Sequence, residues 1–437
     1  MSVAVKNEAV APAARLEPSL PKPGGRYRWL VCFLLFSAVA LSYVDRQVLG
    51  VLKPLLQDRY GWTEVGYGTI VFWFQAAYAS GYLVFGRLVD RIGARAGYAL
   101  AVGIWTIAHM AHAAAGSVAS FAIARIPLAL GESGAFPASL AAVAEWFPQR
   151  ERALAIGLTN AGANVGAVLT PLIVPAVTLA WGWRAAFLVT SLFTVVWLVA
   201  WLALYRRPRE VARLSRAELA YIEADPVPAP VRLSWRRVLA TRETWAYILG
   251  QFVIDPIWWT FLFWLPDFFA KRYGLDLKGF GPPLVLIYIL ADVGSVLGGW
   301  GSSRLLGRGV GLNRARKIAF FICALVVAPV ALAMDTGNLW GAAVLIGLAC
   351  AGHQGFSVNL YALPSDLFPR WAAGSVIGLG GAAGGIGSMA MAQAAGWILQ
   401  TTGSYRPIFL MAASAYFLAL ALIHWMTPRY TPAQITR

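Results

Sequence analysis

Charge is what this sequence has least of. Asp, Glu, Lys and Arg make up 13% of its 437 residues and 59% are apolar, whereas about a quarter of a soluble globular chain is charged. That shortage excludes a soluble enzyme and a disordered protein. Cysteine is nearly missing too. Cys32, Cys323 and Cys350 each sit in an apolar stretch, at no spacing that builds a disulfide framework or a metal site. There are four histidines, no H-E-x-x-H and no Ser/His spacing suited to nucleophilic attack, which argues against a membrane-embedded hydrolase or transferase. The sequence implies no cofactor. Residues 1–25 lack the apolar core and cleavage site of a removable signal, and read as a short disordered tail.

What the chain does have is apolar length. One membrane crossing takes about 20 mostly apolar residues, and the runs here suffice for roughly twelve. The only long polar interval, 206–243, divides them six and six. The expected architecture is therefore an all-α polytopic membrane protein of twelve transmembrane helices in two six-helix bundles. A tail at 1–28 precedes a bundle at 29–205, a linker at 206–243, a second bundle at 244–427 and a tail at 428–437. Ser215 and Glu218 form a capping box that opens a short amphipathic helix in the linker.

The net charge of +16 would suggest nucleic acid in a soluble chain, but its placement points to topology. Of the 36 Lys and Arg, six (Arg59, Arg184, Lys271, Arg272, Lys278, Arg406) fall in loops on one side, and Arg46, Lys53 and Arg125 lie within spans. The other 27 share the side of both termini and the linker, which the positive-inside rule assigns to the cytoplasm. The expected partners are thus a lipid bilayer and a small solute, with no nucleic acid, and nothing demands more than a monomer.

The halves repeat. Glu145, Phe147 and Pro148 return as Asp366, Phe368 and Pro369 at a shift of 221, as do Gly157 and Gly166 at Gly378 and Gly387. Near a shift of 213, Gly86, Arg91 and Arg95 meet Gly299, Arg304 and Arg308. Parallel repeats about an axis normal to the membrane are a common transporter plan, with the ligand held near the midplane.

Ionisable side chains inside spans are costly and mark pathways. Asp45 and Arg46 lie about 24 Å along the first span. Glu132 is central in the fourth, with Arg125 seven positions earlier on the same face. Asp255, Asp292 and His353 lie mid-span in the second half, and Tyr43, Tyr78, Asn164 and Gln354 fall at similar depth. Such convergence describes a central hydrated cavity. The bland alternative is structural pairing, Asp45 with Arg46 or Arg125 with Glu132. A fixed cation such as Arg46 takes a carboxylate bidentately. If Glu132 or Asp45 must be protonated before Arg46 can hold an anion, proton and anion bind cooperatively, which is symport.

The stretch Gly86-Arg-Leu-Val-Asp90-Arg91-Ile-Gly93-Ala-Arg95 resembles the signature loop of the major facilitator superfamily. The resemblance implies that fold, and a cytoplasmic latch made by these residues that is released as the bundles rock. The second copy has Ser303 in place of Asp90, so only the first copy carries the full latch. Tyr43-Val-Asp45-Arg46, together with Arg125 through Gly131-Glu132-Ser-Gly134-Ala-Phe136-Pro137, is similar to the anion:cation symporter branch. There the first-helix Arg holds the substrate carboxylate, the Asp and Glu carry protons, and the tyrosines touch substrate. Asp255-Pro256-Ile-Trp258-Trp259, Asp292 with Gly294 and Ser295, and His353-Gln354 with Asn359 resemble its hexuronate transporters. The tryptophans suit packing on a sugar ring.

The resemblance thus implies a bacterial inner-membrane importer of glucuronate or galacturonate, driven by protons. Alternatives are a carrier of another organic anion (an aldonate such as galactonate, a dicarboxylate, an aromatic acid), an exporter, or a receptor that binds without transporting. The sequence departs from the branch at Ala135 and Ala141, where Asn and Lys are expected, and at Asp267, where a basic residue is usual.

Overall fold

The computed structural model describes residues 26–224, 235–431 and 433. Most of the two expected tails and the centre of the linker lie outside the described residues. Among those described the chain is helical throughout. The first half comprises α1 (Tyr27–Tyr60), α2 (Glu64–Ala111), α3 (Val118–Ser133), α4 (Ala135–Trp146), α5 (Gln149–Trp181) and α6 (Trp183–Leu204). The linker contributes α7 (Arg216–Ile222) and α8 (Trp235–Leu239). The second half comprises α9 (Arg242–Tyr273), α10 (Gly281–Gly307), α11 (Leu312–Val327), α12 (Leu339–Leu367), α13 (Arg370–Thr402) and α14 (Arg406–Met426).

Ten of the apolar stretches are long enough to cross a membrane. The 48 residues of α2 would run about 72 Å if straight. They cross twice instead, bending at Gly93, whose φ of 81° and ψ of 165° suit a residue without a Cβ. This brings the crossings to twelve. The segment expected to be a loop, Gly86–Arg95, is therefore helical apart from that one residue. The fourth crossing is also not one helix: α3 and α4 are separated at Gly134.

Odd and even crossings alternate between a face that carries the ends of the described chain (the terminal face) and the opposite, far face. Small residues bring the helices together within each half. A Cβ on Gly162 or Gly166 of α5 would strike the backbone of α1 at Phe36 and Ala40, and one on Gly294 or Gly298 of α10 would strike α12 at Ala351 and Gly355. In a membrane, where lipid is as apolar as leucine, such close backbone approach is a main source of helix association.

The halves meet chiefly toward the far face. Tyr67 of α2 donates to the Phe263 carbonyl of α9 at 2.9 Å, and Tyr288 of α10 donates to Gln47 of α1 at 3.1 Å. The Gly68 position packs on the backbone of α13 at Ala392 and Gly396. In the linker, the Ser215 hydroxyl caps α7 by accepting from Glu218 N at 3.1 Å, as the sequence predicts. The Glu218 side chain does not turn back to complete the box. It takes Arg28 of α1 at 3.2 Å, while Tyr221 donates to Glu151 of α5 at 2.6 Å. α7 is thereby pinned to the terminal face of the first half.

Candidate functional site

Neighbouring helical residues point about 100° apart, so Asp45 and Arg46 of α1 serve different surroundings. Arg46 turns toward the seam between the halves. Glu132 reaches it from the last turn of α3, just before the break at Gly134. A Cβ on Gly131 would meet Trp105 N and the Ala101 carbonyl at 2.6 and 2.7 Å, so the glycine lets α3 lie against α2 and seats Glu132 at this depth. Arg46 Nε and Nη2 both lie 2.7 Å from Glu132 Oε2, and both residues are buried.

Aromatic faces surround this pair. The Arg46 guanidinium carbon lies 4.7 Å from the ring centroid of Tyr43, 4.8 Å from Tyr78, 5.0 Å from Trp259 and 5.7 Å from Phe74. Tyr43, Phe74 and Tyr78 belong to the first half and Trp259 to the second. Each desolvated cation–π contact is worth about 0.5–2 kcal/mol. The cage therefore holds a cation at the seam with one carboxylate as its counter-ion. Glu132 Oε1 has no hydrogen-bond partner among the described residues.

Neither pairing considered as a structural alternative forms. Arg125 donates from Nη2 to the Arg46 backbone carbonyl at 2.9 Å, with its guanidinium 4.8 Å from the Phe74 ring. Asp45 faces into the first half, accepting from Thr194 Oγ1 at 3.1 Å, with His109 Nε2 3.3 Å away. Arg46 and Asp45 are adjacent in sequence, but the helical turn separates them.

The second half is less uniform than the sequence suggests. His353 bonds the Tyr416 hydroxyl through Nδ1 at 2.7 Å, and its ring stacks on Trp258 at 5.2 Å and 9°. Asn164 and Gln354 are half-buried. Asn359 is hydrogen-bonded within the second half. Oδ1 accepts from Arg316 at 2.9 Å, and Nδ2 donates to the Gly298 and Gly355 carbonyls at 3.0 and 2.9 Å. Arg316 in turn pairs with Asp366 at 2.9 Å. Asn359 thus ties α10, α11 and α12 together.

At the terminal face Asp90 and Arg91 are exposed, and Asp90 has no side-chain partner among the described residues. Arg95 donates to the Leu202 carbonyl at 2.5 Å, and Trp201 Nε1 donates to the Arg95 carbonyl at 3.1 Å, both within the first half. The Gly86 position is open and Gly93 is the bend.

A second charged cluster, which sequence reasoning missed, joins the halves at the far face. Lys53, fully buried, lies 2.8 Å from Glu64 Oε2 and 2.7 Å from Asp267 Oδ2. Lys271 contacts both carboxylates, at 3.0 Å for Asp267 and more closely still for Glu64. Gln400 accepts from Glu64 N at 3.0 Å, and Tyr405 hydrogen-bonds Asp267. The signals were present: Lys53 was one of three cations inside spans, and Asp267 an acid at a usually basic position. Pairing them needs the approach of α1 and α9, which no spacing within either half encodes.

The fold, a duplicated six-helix unit with a buried cation at the seam, defines a membrane transporter of alternating halves. Residues 35–359 match the Major Facilitator Superfamily, and the chain belongs to it. It is similar to the hexuronate transporter of Escherichia coli (strain K12), 31% identical over 414 residues, covering 93% of this chain and 95% of that protein. The galacturonate transporter of Dickeya chrysanthemi is 32% identical over 278 residues, covering 62% of this chain and 81% of the relative. The D-galactonate transporter of Escherichia coli O6:H1 is 30% identical over 418 residues, 92% of this chain and 96% of that one. Among solved structures, a bacterial homologue of the human lysosomal transporter Spinster superposes with a TM-score of 0.73 at 18% identity, covering 93% of this chain and 99% of the other.

Proposed function

We propose that this protein is a proton-coupled symporter that imports a sugar-acid anion, a hexuronate such as galacturonate or glucuronate, across a bacterial inner membrane. The observation that carries the reading is the Arg46–Glu132 pair inside an aromatic cage shared by both halves. A substrate carboxylate can take the Arg46 fork only if Glu132 releases it, and a carboxylate releases a buried guanidinium most readily by accepting a proton. Proton and anion therefore bind together, and the net charge beside Arg46 is the same whether the counter-ion is Glu132 or substrate. Tyr43, Tyr78 and Trp259 supply flat faces for the sugar ring, Trp258 with His353 a second stacked surface, and Asn164 and Gln354 hydroxyl partners. Asp45 and Arg125 complete the coupling group. The relatives, named for hexuronate, galacturonate and galactonate transport, support the substrate class.

Both termini and the linker face the cytoplasm in this reading, as the Lys and Arg distribution requires. In this reading the described state, with its far face closed around Lys53 and Asp90 without a partner among the described residues, opens inward. The latch of Gly86, Asp90, Arg91, Gly93 and Arg95 engages when the molecule opens outward.

The test is uptake of labelled galacturonate and glucuronate into proteoliposomes under an inward proton gradient, with galactonate as competitor. The expected result is accumulation that a protonophore abolishes. Uptake that merely equilibrates the label would leave a facilitator without proton coupling. Transport of galactonate in preference to both hexuronates would move the cargo to aldonates, consistent with Ala135 and Ala141 departing from the hexuronate pattern.

A further inference from the structure

Between Asp45 and the far face lie buried polar atoms that the coupling scheme above does not use. His109, near the far end of α2, is fully buried, with Nε2 2.8 Å from Thr190 Oγ1 and 3.3 Å from Asp45 Oδ1. The Thr190 hydroxyl gives its own hydrogen to the Ala186 carbonyl at 3.0 Å. With its hydrogen on that carbonyl the hydroxyl accepts from His109, and in that arrangement Nε2 carries the ring hydrogen and Nδ1 a lone pair. That Nδ1 has no hydrogen-bond partner among the described residues.

Three residues on, the His112 ring lies 5.9 Å from that of His109. Its Nδ1 is 2.8 Å from the Ala108 carbonyl, which only accepts, so Nε2 carries the lone pair and is unpartnered as well. His112 packs on Phe187 and Phe121, and both of these pack on Trp183. Trp183 Nε1 and Thr178 Oγ1 are again buried without a partner. Both residues line an open depression of about 570 Å³ at the far face with Leu55, Asp58, Arg59 and Gly182. Trp183 Nε1 can only donate, so the basic atoms between the far face and Asp45 are His112 Nε2 and His109 Nδ1, on rings 5.9 Å apart.

We propose that His109 and His112 form a proton relay that loads Asp45 from the far face, separate from the path of the sugar acid along the seam; the relay rests on the symport reading. A proton taken up at His109 Nδ1 makes the ring a cation. The Nε2 hydrogen then passes to Asp45 Oδ1, leaving a neutral carboxyl and a neutral ring with its hydrogen on Nδ1. One proton enters the ring and one leaves, with no other reactant. The groups facing His109 are Asp45 of α1, Thr190 of α6, with Thr194 beside them on Asp45, and His112 beyond its own turn. Arg125 of α3 acts on it electrostatically.

The experiment compares wild type, His109→Gln and His112→Phe in proteoliposomes. One arm measures accumulation under an inward proton gradient, the other substrate counterflow at equal pH, which needs no net proton movement. The amide introduced by His109→Gln keeps a donor toward Thr190 and Asp45 but has no second basic atom, and the ring introduced by His112→Phe keeps the packing on Phe187. The expected result is counterflow within twofold of wild type and gradient-driven accumulation lowered at least tenfold in both variants. Wild-type accumulation by His109→Gln with counterflow intact would overturn the relay. Loss in His109→Gln with full accumulation in His112→Phe would overturn the two-histidine route. If His109→Gln does not fold, His112→Phe alone decides between the same two results. No accumulation by wild type would overturn the symport reading, and the relay with it.

Discussion

Arg46 and Glu132, 86 residues apart in the chain, meet at 2.7 Å within a cage whose walls come from both halves. Removing one member of a buried pair leaves an uncompensated charge and destabilises by about 3–5 kcal/mol, whereas replacing both by apolar side chains of similar volume is often neutral. Arg46→Met and Glu132→Met should each lower the thermal unfolding temperature in detergent, and the double variant should regain most of the loss. Additive losses in the double variant would show that the two residues do not act as a pair.

The same pair sets a pH dependence. Anion binding that requires a protonated Glu132 strengthens as pH falls and weakens as it rises. Glu132→Gln imitates the protonated state at every pH. Its affinity for the sugar acid should be flat with pH and at least equal to that of wild type, while gradient-driven accumulation drops at least tenfold. Titration calorimetry across pH 5–8 reads the first and vesicle uptake the second. A Glu132→Gln profile as steep as that of wild type would assign the proton to another group.

At the far face, Lys53 neutralises two acids, one from each half. Lys53→Met leaves Glu64 and Asp267 facing each other with only the half-exposed Lys271 between them, so the closed far face should lose stability relative to the open one. At 1.4 kcal/mol per tenfold, even part of the about 3–5 kcal/mol of a broken buried pair shifts the populations at least tenfold. Spin labels at Asp58 and Lys278, both exposed far-face positions, should report a longer distance in Lys53→Met. An unchanged distance distribution would show that this cluster does not hold the face shut.

Much of this was legible in the sequence, for physical reasons. Apolar run length reports crossings because the bilayer leaves a helix no other way to satisfy its backbone. The cost of burying charge made Arg46, Glu132 and Asp45 conspicuous. What stayed hidden depended on rotation and on contacts between halves. Asp45 and Arg46 look like a pair in one dimension, but helical twist turns them apart. Asn359 looked like one more polar group at cavity depth, and only the positions of Arg316 and the Gly298 carbonyl show that its amide is already engaged. The Lys53–Asp267 contact spans the two halves, where no local periodicity reaches.

Asn359 yields a test that separates packing from substrate contact. Asn359→Ala removes one of the two acceptors of Arg316 Nη1, leaving it Ser302, and the amide donor to the Gly298 and Gly355 carbonyls; a hydrogen bond to a charged group is worth about 1.5–3 kcal/mol. The variant should unfold at lower temperature while the KM for uptake stays within twofold of wild type. A KM raised tenfold with unchanged stability would return Asn359 to the substrate site.

The last prediction concerns the tight approach of α2 to α13 across the seam. A Cβ on Gly68 of α2 would lie 2.7 Å from the Ala392 carbonyl oxygen and 3.3 Å from Gly396 Cα. Both are backbone atoms of α13, which cannot swing aside as a side chain would. Gly68→Ala therefore fits only if α2 and α13 part at their far ends, the direction in which Lys53→Met also drives the molecule. Alanine is the better helix former by about 1 kcal/mol, so the first half itself should fold as well as before. The expected outcome is a folded protein with the longer Asp58–Lys278 distance, which binds the sugar acid but takes it up at least tenfold more slowly. Gly103→Ala, on the second arm of the same helix with open space around its Cβ position, serves as the control and should transport at the wild-type rate. Wild-type uptake by Gly68→Ala would mean that this contact is not needed for closure of the far face.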